Sequence, residues 1–173
     1  EWITELDFDR ENGVDVERDI VKLAVVERHR GTGHRGLGFL SGLGLKYGAI
    51  ASSVSHDSHN LIVAGADERD MVYAAERVSA LGGGCVVVRD GKTLAELPLP
   101  VAGLMSDRPA DELARRNEQL RKRAYPLGIP EEIEPFMPLA FLSLPVIPHL
   151  KMTTRGLLNV DERRLVPLFV DGM

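Results

Sequence analysis

Seven of the eighteen residues in GTGHRGLGFLSGLGLKYG (31–48) are glycine, and this density restricts the fold more than any other feature of the chain. Glycine inside a helix costs about 1 kcal/mol relative to alanine. The stretch therefore predicts loops with positive φ and close backbone approach, with room for one short apolar helix or strand at about 37–45. The flanking segments are β-branched. DIVKLAVVE (19–27) is nearly continuously apolar from Ile20 to Val26 and reads as a buried strand. AIASSVS (49–55) reads as a second strand whose small side chains imply close packing against a neighbour, and Leu61 to Ala64 as a third. Residues 1–18 read as a leading hairpin or irregular entry.

Beyond the third strand the period changes. Met71, Ala74, Ala75, Val78 and Leu81 fall on one helical face. Asp67 is placed to cap that helix, with Asp70 in the capping-box position and Gly82 as its C-terminal stop. Cys85 to Arg89 and Thr93 to Leu97 flank Asp90-Gly91-Lys92, a hairpin signal. Asp107 and Pro109 are expected to open a second helix over 110–124. The remainder is rich in proline, with apolar pieces at 139–144 and 165–170. Strands with two helices and a hairpin predict a single-domain α+β fold, a mixed α/β sandwich.

Composition narrows the function. A net charge of -5 without a Lys/Arg cluster argues against nucleic acid. No apolar run approaches the length of a membrane span, and none reads as a signal peptide. The single cysteine, Cys85, excludes an internal disulfide, fits a reducing cytoplasm and reads as a small core residue in GGGCVVV. The chain begins at Glu1 rather than Met, as expected of a fragment. Gly31, Gly33 and Gly36 match G-x-G-x-x-G literally, but no helix opens there, which argues against a dinucleotide site.

Four of the five histidines lie between His29 and His59, each beside a predicted strand end. The densest group is His56-Asp57-Ser58-His59-Asn60, with Glu27-Arg28-His29 at the end of the first strand and His34 in the glycine loop. If the first two strands lie side by side, these polar ends converge on one rim, the usual place for binding residues. His56 and His59 would face opposite sides on a strand and could converge in a tight turn. Two imidazoles and a carboxylate suit Zn, Fe or Mn; a histidine held by Asp57 suits proton transfer near neutral pH; Ser58 would need an oriented base to act as a nucleophile. Asp57, Ser58 and Asn60 would also make an ordinary polar turn.

Several long phrases, in order, carry a resemblance: DIVKLAVVERHRGTG (19–33), GLGFLSGLGLKYGAIASSVSHDSHNLIVAG (36–65), GGGCVVVRDGK (82–92), LPLPVAGLMSD (97–107) and LPVIPHLKMTTRGLLNV (144–160). In these the chain resembles the C-terminal domain of bacterial and archaeal adenine deaminases. The resemblance implies an amidohydrolase whose barrel binds the metal and activates the water that converts adenine to hypoxanthine and ammonia. This chain has no His-x-His pair, and 173 residues fall short of the about 250 that a (β/α)₈ barrel takes. The implied partner is therefore an N-terminal amidohydrolase barrel, in the same polypeptide or a separate subunit. It would hold most of a divalent transition metal site, Mn or Fe or else Zn. Adenine is the implied small-molecule substrate, and a homo-oligomer is compatible.

Within that resemblance His56, Asp57 and His59 are the candidate catalytic residues and Arg28, His29, Ser58 and Asn60 the candidate substrate-binding residues. His56 and His59 are also candidate metal ligands. Pro98, Pro100, Gly103 and Asp107 are expected to shape the backbone, Met105 to fill core, and His149 to be packed or at an interface. Two alternatives stand beside this reading: a non-catalytic interaction or oligomerisation module, and an independent small-molecule- or metal-binding domain.

Overall fold

Side-chain alternation along β1 (Ile20–Val26) sets the layers of the molecule. Val21, Leu23 and Val25 enter one apolar cluster. Ala24 enters another on the opposite face, with Val26 packed against it, following the two-residue period of a strand. The computed structural model describes residues 13–169. Its strands β2 (Arg35–Ser41), β3 (Ala49–Ser52), β4 (Leu61–Gly65), β5 (Gly84–Arg89) and β6 (Lys92–Pro98) join β1 in a six-stranded sheet of order β2-β1-β4-β3-β5-β6. Every neighbouring pair is antiparallel. The first twelve residues of the expected entry segment lie outside the described residues; the following bridge between Asp15 and Ile20 leads into β1.

Helix α1 (Glu68–Ala80) covers one face. Its Ala74 and Val78 meet Ala49 and Ala51 of β3, which explains the small residues of that strand: the helix packs directly onto them. Asp67 caps the helix by accepting the Asp70 N–H at 3.0 Å. Asp70 does not complete a reciprocal box. Its carboxylate instead accepts the N–H groups of Asp90 and Gly91, at 3.0 and 2.7 Å, pinning the β5–β6 turn to the helix. Both turn residues have positive φ, 54° and 69°, the type I′ geometry that matches strand twist. At the other end Gly82 has φ 73°, and the amides of Gly82 and Gly83 return to Ser79 and Val78 as a Schellman cap.

The opposite face is covered by α2 (Ala110–Ala124), a 3₁₀ turn (Tyr125–Leu127), α3 (Met137–Leu142) and a three-stranded sheet of β7 (Leu150–Thr153), β8 (Gly156–Asn159) and β9 (Arg164–Leu165). Leu120, Leu127, Leu139 and Met152 reach the same cluster as Ile50, Ile62 and Val87. Seven of the eighteen residues of the glycine-dense stretch, Arg35–Ser41, are thus strand rather than loop. A Cβ on Gly36 would stand 1.8 Å from the Thr153 carbonyl oxygen, and one on Gly38 2.3 Å from Met152. The two glycines share one face of β2 because the small sheet lies flush against it. The fold is a single-domain α+β architecture, as expected.

Four local expectations change. The first and second predicted strands are not neighbours, because β4 lies between β1 and β3. Asp107 does not cap α2, whose N-cap is Pro109 without a side-chain hydrogen bond; it lies 3.6 Å from the Arg108 guanidinium instead. Met105 is 59% exposed and fills no core. His149 is exposed rather than packed, its Nδ1 2.6 Å from Asp161 Oδ2. Cys85 is buried as expected; desolvation pushes its thiol up to about 11 although Ser52 lies within reach.

Candidate functional site

Antiparallel pairing gathers one end of each central strand. The end of β1 meets the start of β4 (Val26 opposite Leu61), the end of β3 meets the start of β5 (Ser52 opposite Cys85), and the end of β6 meets Gly84. The loops 27–34, 53–60 and 99–106 therefore share a rim. Although β1 and β3 are separated, their polar ends do touch. Arg28 donates from Nε to the His59 carbonyl and from Nη2 to the Ala102 carbonyl, the latter at 2.8 Å, tying all three loops together. His29 donates from Nε2 to the Ser58 carbonyl at 2.7 Å. Glu27 closes its own loop by accepting the N–H groups of Thr32, Arg30 and His29 and the Thr32 hydroxyl. These donors, led by the Thr32 amide, hold its carboxyl down at about 2.

A buried row of hydroxyls supports loop 53–60. Ser53 Oγ donates to the Gly103 carbonyl at 2.6 Å and accepts the Gly84 N–H at 2.7 Å. Ser55 pairs with Ser143 just after α3, and Ser143 also donates to the His56 carbonyl at 3.3 Å. The His56 amide donates to Ala140 O at 3.1 Å and the His59 amide to Ser55 O at 2.6 Å, while His59 takes φ 47°. A buried polar group must find a partner, so this network fixes the loop as firmly as apolar packing would.

The loop brings His56 and His59 together, ring centroids 5.8 Å apart and planes inclined at 61°. Phe141 of α3 lies 5.4 Å from His56. Asp57 and Ser58 are exposed, and His34 stands in solvent. Asn60 is buried, and its Oδ1 is the one buried side-chain polar atom among the described residues without a partner. His59 Nδ1 accepts the Ser55 N–H at 3.4 Å, which places the proton of the neutral ring on Nε2. Burial, followed by the nearby His56 and Arg28, holds His59 below its ordinary value of 6.5, outweighing the opposite pull of Asp57. His59 is therefore a neutral Nε2–H donor at neutral pH. Burial likewise lowers Arg28.

Sequence reasoning placed the two histidines but missed Phe141, Ser143 and the Gly83–Gly103 contact. A Cβ on Gly83 would stand 2.3 Å from Gly103 Cα, and one on Gly103 2.7 Å from the Arg28 guanidinium. The triple glycine 82–84 was the available signal for close backbone approach; nothing local linked α3 to the loop. Among the described residues no three His, Cys, Asp or Glu side chains gather to hold a metal ion. No helix there is long and apolar enough to cross a membrane.

The sequence profile of the adenine deaminase C-terminal domain matches residues 3–164. An adenine deaminase from Brucella abortus (strain 2308) is 55% identical over 166 residues, covering 93% of this chain and 28% of its own length. "Adenine deaminase 2" from Carboxydothermus hydrogenoformans is 55% identical over 152 residues, 88% of this chain and 27% of that protein. The adenine deaminase from Methanothrix thermoacetophila is also 55% identical, over 157 residues, with 91% and 27% covered. The chain thus spans less than a third of the length of these relatives. With a profile match over nearly all of it, the chain belongs to the adenine deaminase C-terminal domain family.

Proposed function

We propose that this chain works as the C-terminal domain of a metal-dependent adenine deaminase and lends His56, Asp57 and His59 to a purine site completed by the amidohydrolase barrel. The observation that carries the reading is the convergence of His56 and His59 on a rim whose loop is held from below by buried serines. Rigid support of this kind is what a positioned proton donor requires. The residues present do not fit a metal centre of their own: two imidazoles give at most two ligands, and His59 Nδ1 already accepts the Ser55 amide. On this reading the barrel holds the Mn, Fe or Zn.

Deamination joins the oxygen of water to C6 of adenine and breaks the C6–N6 bond. Of the two water protons, one ends on the departing ammonia and the other on the ring. Proton transfer of this kind is worth about 10²–10⁴ in rate when a side chain is positioned for it. His59, held neutral with its proton on Nε2, the ring nitrogen not bonded to Ser55, suits donation to a purine nitrogen. His56 stands beside it, ring centroids 5.8 Å apart, with the exposed Asp57 next in the chain. Arg28 and His29, the candidate substrate-binding residues, also hold the loop through the His59 and Ser58 carbonyls. Ser58 stands at the exposed tip, and Asn60 Oδ1, buried next in the chain to His59, is an acceptor without a partner among the described residues.

Ammonia release from adenine tests this directly. The 173-residue chain alone, with or without added Mn or Fe, is expected to give no turnover. The full-length polypeptide carrying this domain is expected to lose about a hundredfold or more with His56→Ala. Turnover by the chain alone, or parental rates for His56→Ala, would reject the proposal.

A further inference from the structure

We infer that the rim is a docking surface for the N-terminal part of the adenine deaminase polypeptide, with His56 and His59 enclosed at its centre. This rests on the purine-site reading above and adds to it the surface and the partner. Val101, Met105, Met137 and Phe141 are each at least 41% exposed, and a line of contacts places them on both sides of the histidines. Val101 and Met105 pair across the turn whose Ala102 carbonyl holds Arg28. Arg28 holds the His59 carbonyl, His59 faces His56, and His56 faces Phe141. Met137 lies one turn before Phe141 on α3, so the two share a helix face. Apolar side chains clustered around a polar centre mark an interaction site rather than ordinary surface.

The occupant follows from length and chemistry. The relatives extend well beyond this domain, which matches 28% of the Brucella protein. The partner surface must be apolar opposite the methionines and Phe141, and must leave the histidine pair open to the purine. Closure by such a surface would remove water from the histidine pair and strengthen every hydrogen bond made there.

The test uses the full-length polypeptide carrying this domain. Met105→Glu combined with Phe141→Glu is compared with His59→Ala and with Val72→Glu, which lies on the outer face of α1. Limited proteolysis reads release of the domain, and ammonia formation reads turnover. The rim pair is expected to raise the release rate about tenfold or more, the effect of losing 1.4 kcal/mol of contact, and to lower turnover. His59→Ala is expected to lower turnover while resisting protease like the parent, and Val72→Glu to change neither. Unaltered release by the rim pair overturns the docking surface. Parental turnover by His59→Ala, with rapid release by the rim pair, overturns the purine-site reading alone. Hydrogen exchange gives a check free of variants: amides 101–105 and 139–142 must exchange more slowly in the full-length polypeptide than in the 173-residue chain, and equal rates overturn the inference.

Discussion

The chain places histidines in two settings, a pair on a supported loop and a lone residue beside a hairpin. His56 and His59 sit on a loop anchored to α3, β5 and the 99–106 turn, partly buried beside Phe141. His149 sits outside the open end of the β7–β8 hairpin, exposed and paired with Asp161 at 2.6 Å. Exposed pairs of this kind contribute only about 0–1 kcal/mol. The difference lies in the support beneath each histidine. At the rim, backbone approaches backbone through glycines and buried hydroxyls meet each other. At the hairpin, solvent can replace either partner.

That contrast can be broken by substitution. Gly83→Ala should be the most damaging change, because its Cβ would strike Gly103 Cα at φ 121°; a loss of about 3 kcal/mol in urea unfolding is expected. Gly156→Ala in the β7–β8 turn has a similar φ of 119° but open space around the new Cβ, so about 1 kcal/mol is expected. Equal losses would refute the difference in support. Ser143→Ala leaves the buried Ser55 hydroxyl without that partner, and about 1–2 kcal/mol should disappear in the same assay.

Acid titration sharpens the comparison. His59 has its folded value below 6.5, so just under pH 6.5 the unfolded chain binds more protons than the folded one, and stability falls as pH drops through that value. Glu27 behaves as a depressed carboxylate: its contribution is complete above 4.5 and is lost between 4.5 and about 2. His59→Gln should flatten the first slope and Glu27→Gln the second, as read by unfolding across pH. The smallest effect belongs to the hairpin. Asp161→Ala should change stability by at most about 0.5 kcal/mol at neutral pH.

Local pattern carried most of the fold. The near-continuous apolar run of β1, the helical face from Met71 to Leu81 and the Asp90-Gly91 turn are written in adjacent residues, and each formed as expected. Strand order was not legible, since nothing local tells β1 to pair with β4 rather than β3. The glycines of β2 misled for a related reason: Gly36 and Gly38 serve packing against Thr153 and Met152, more than a hundred positions away. The site divides likewise. The histidine spacing was visible, whereas Ser143, Phe141 and the grip of Arg28 on two loops depend on tertiary approach.

The most direct measurement compares adenine turnover in two variants of the full-length polypeptide carrying this domain, His59→Ala and His149→Ala. A supported, neutral donor at the rim predicts a loss of about a hundredfold or more for the first and the parental rate for the second. Equal rates in the two variants would contradict the assignment of the working pair to the rim.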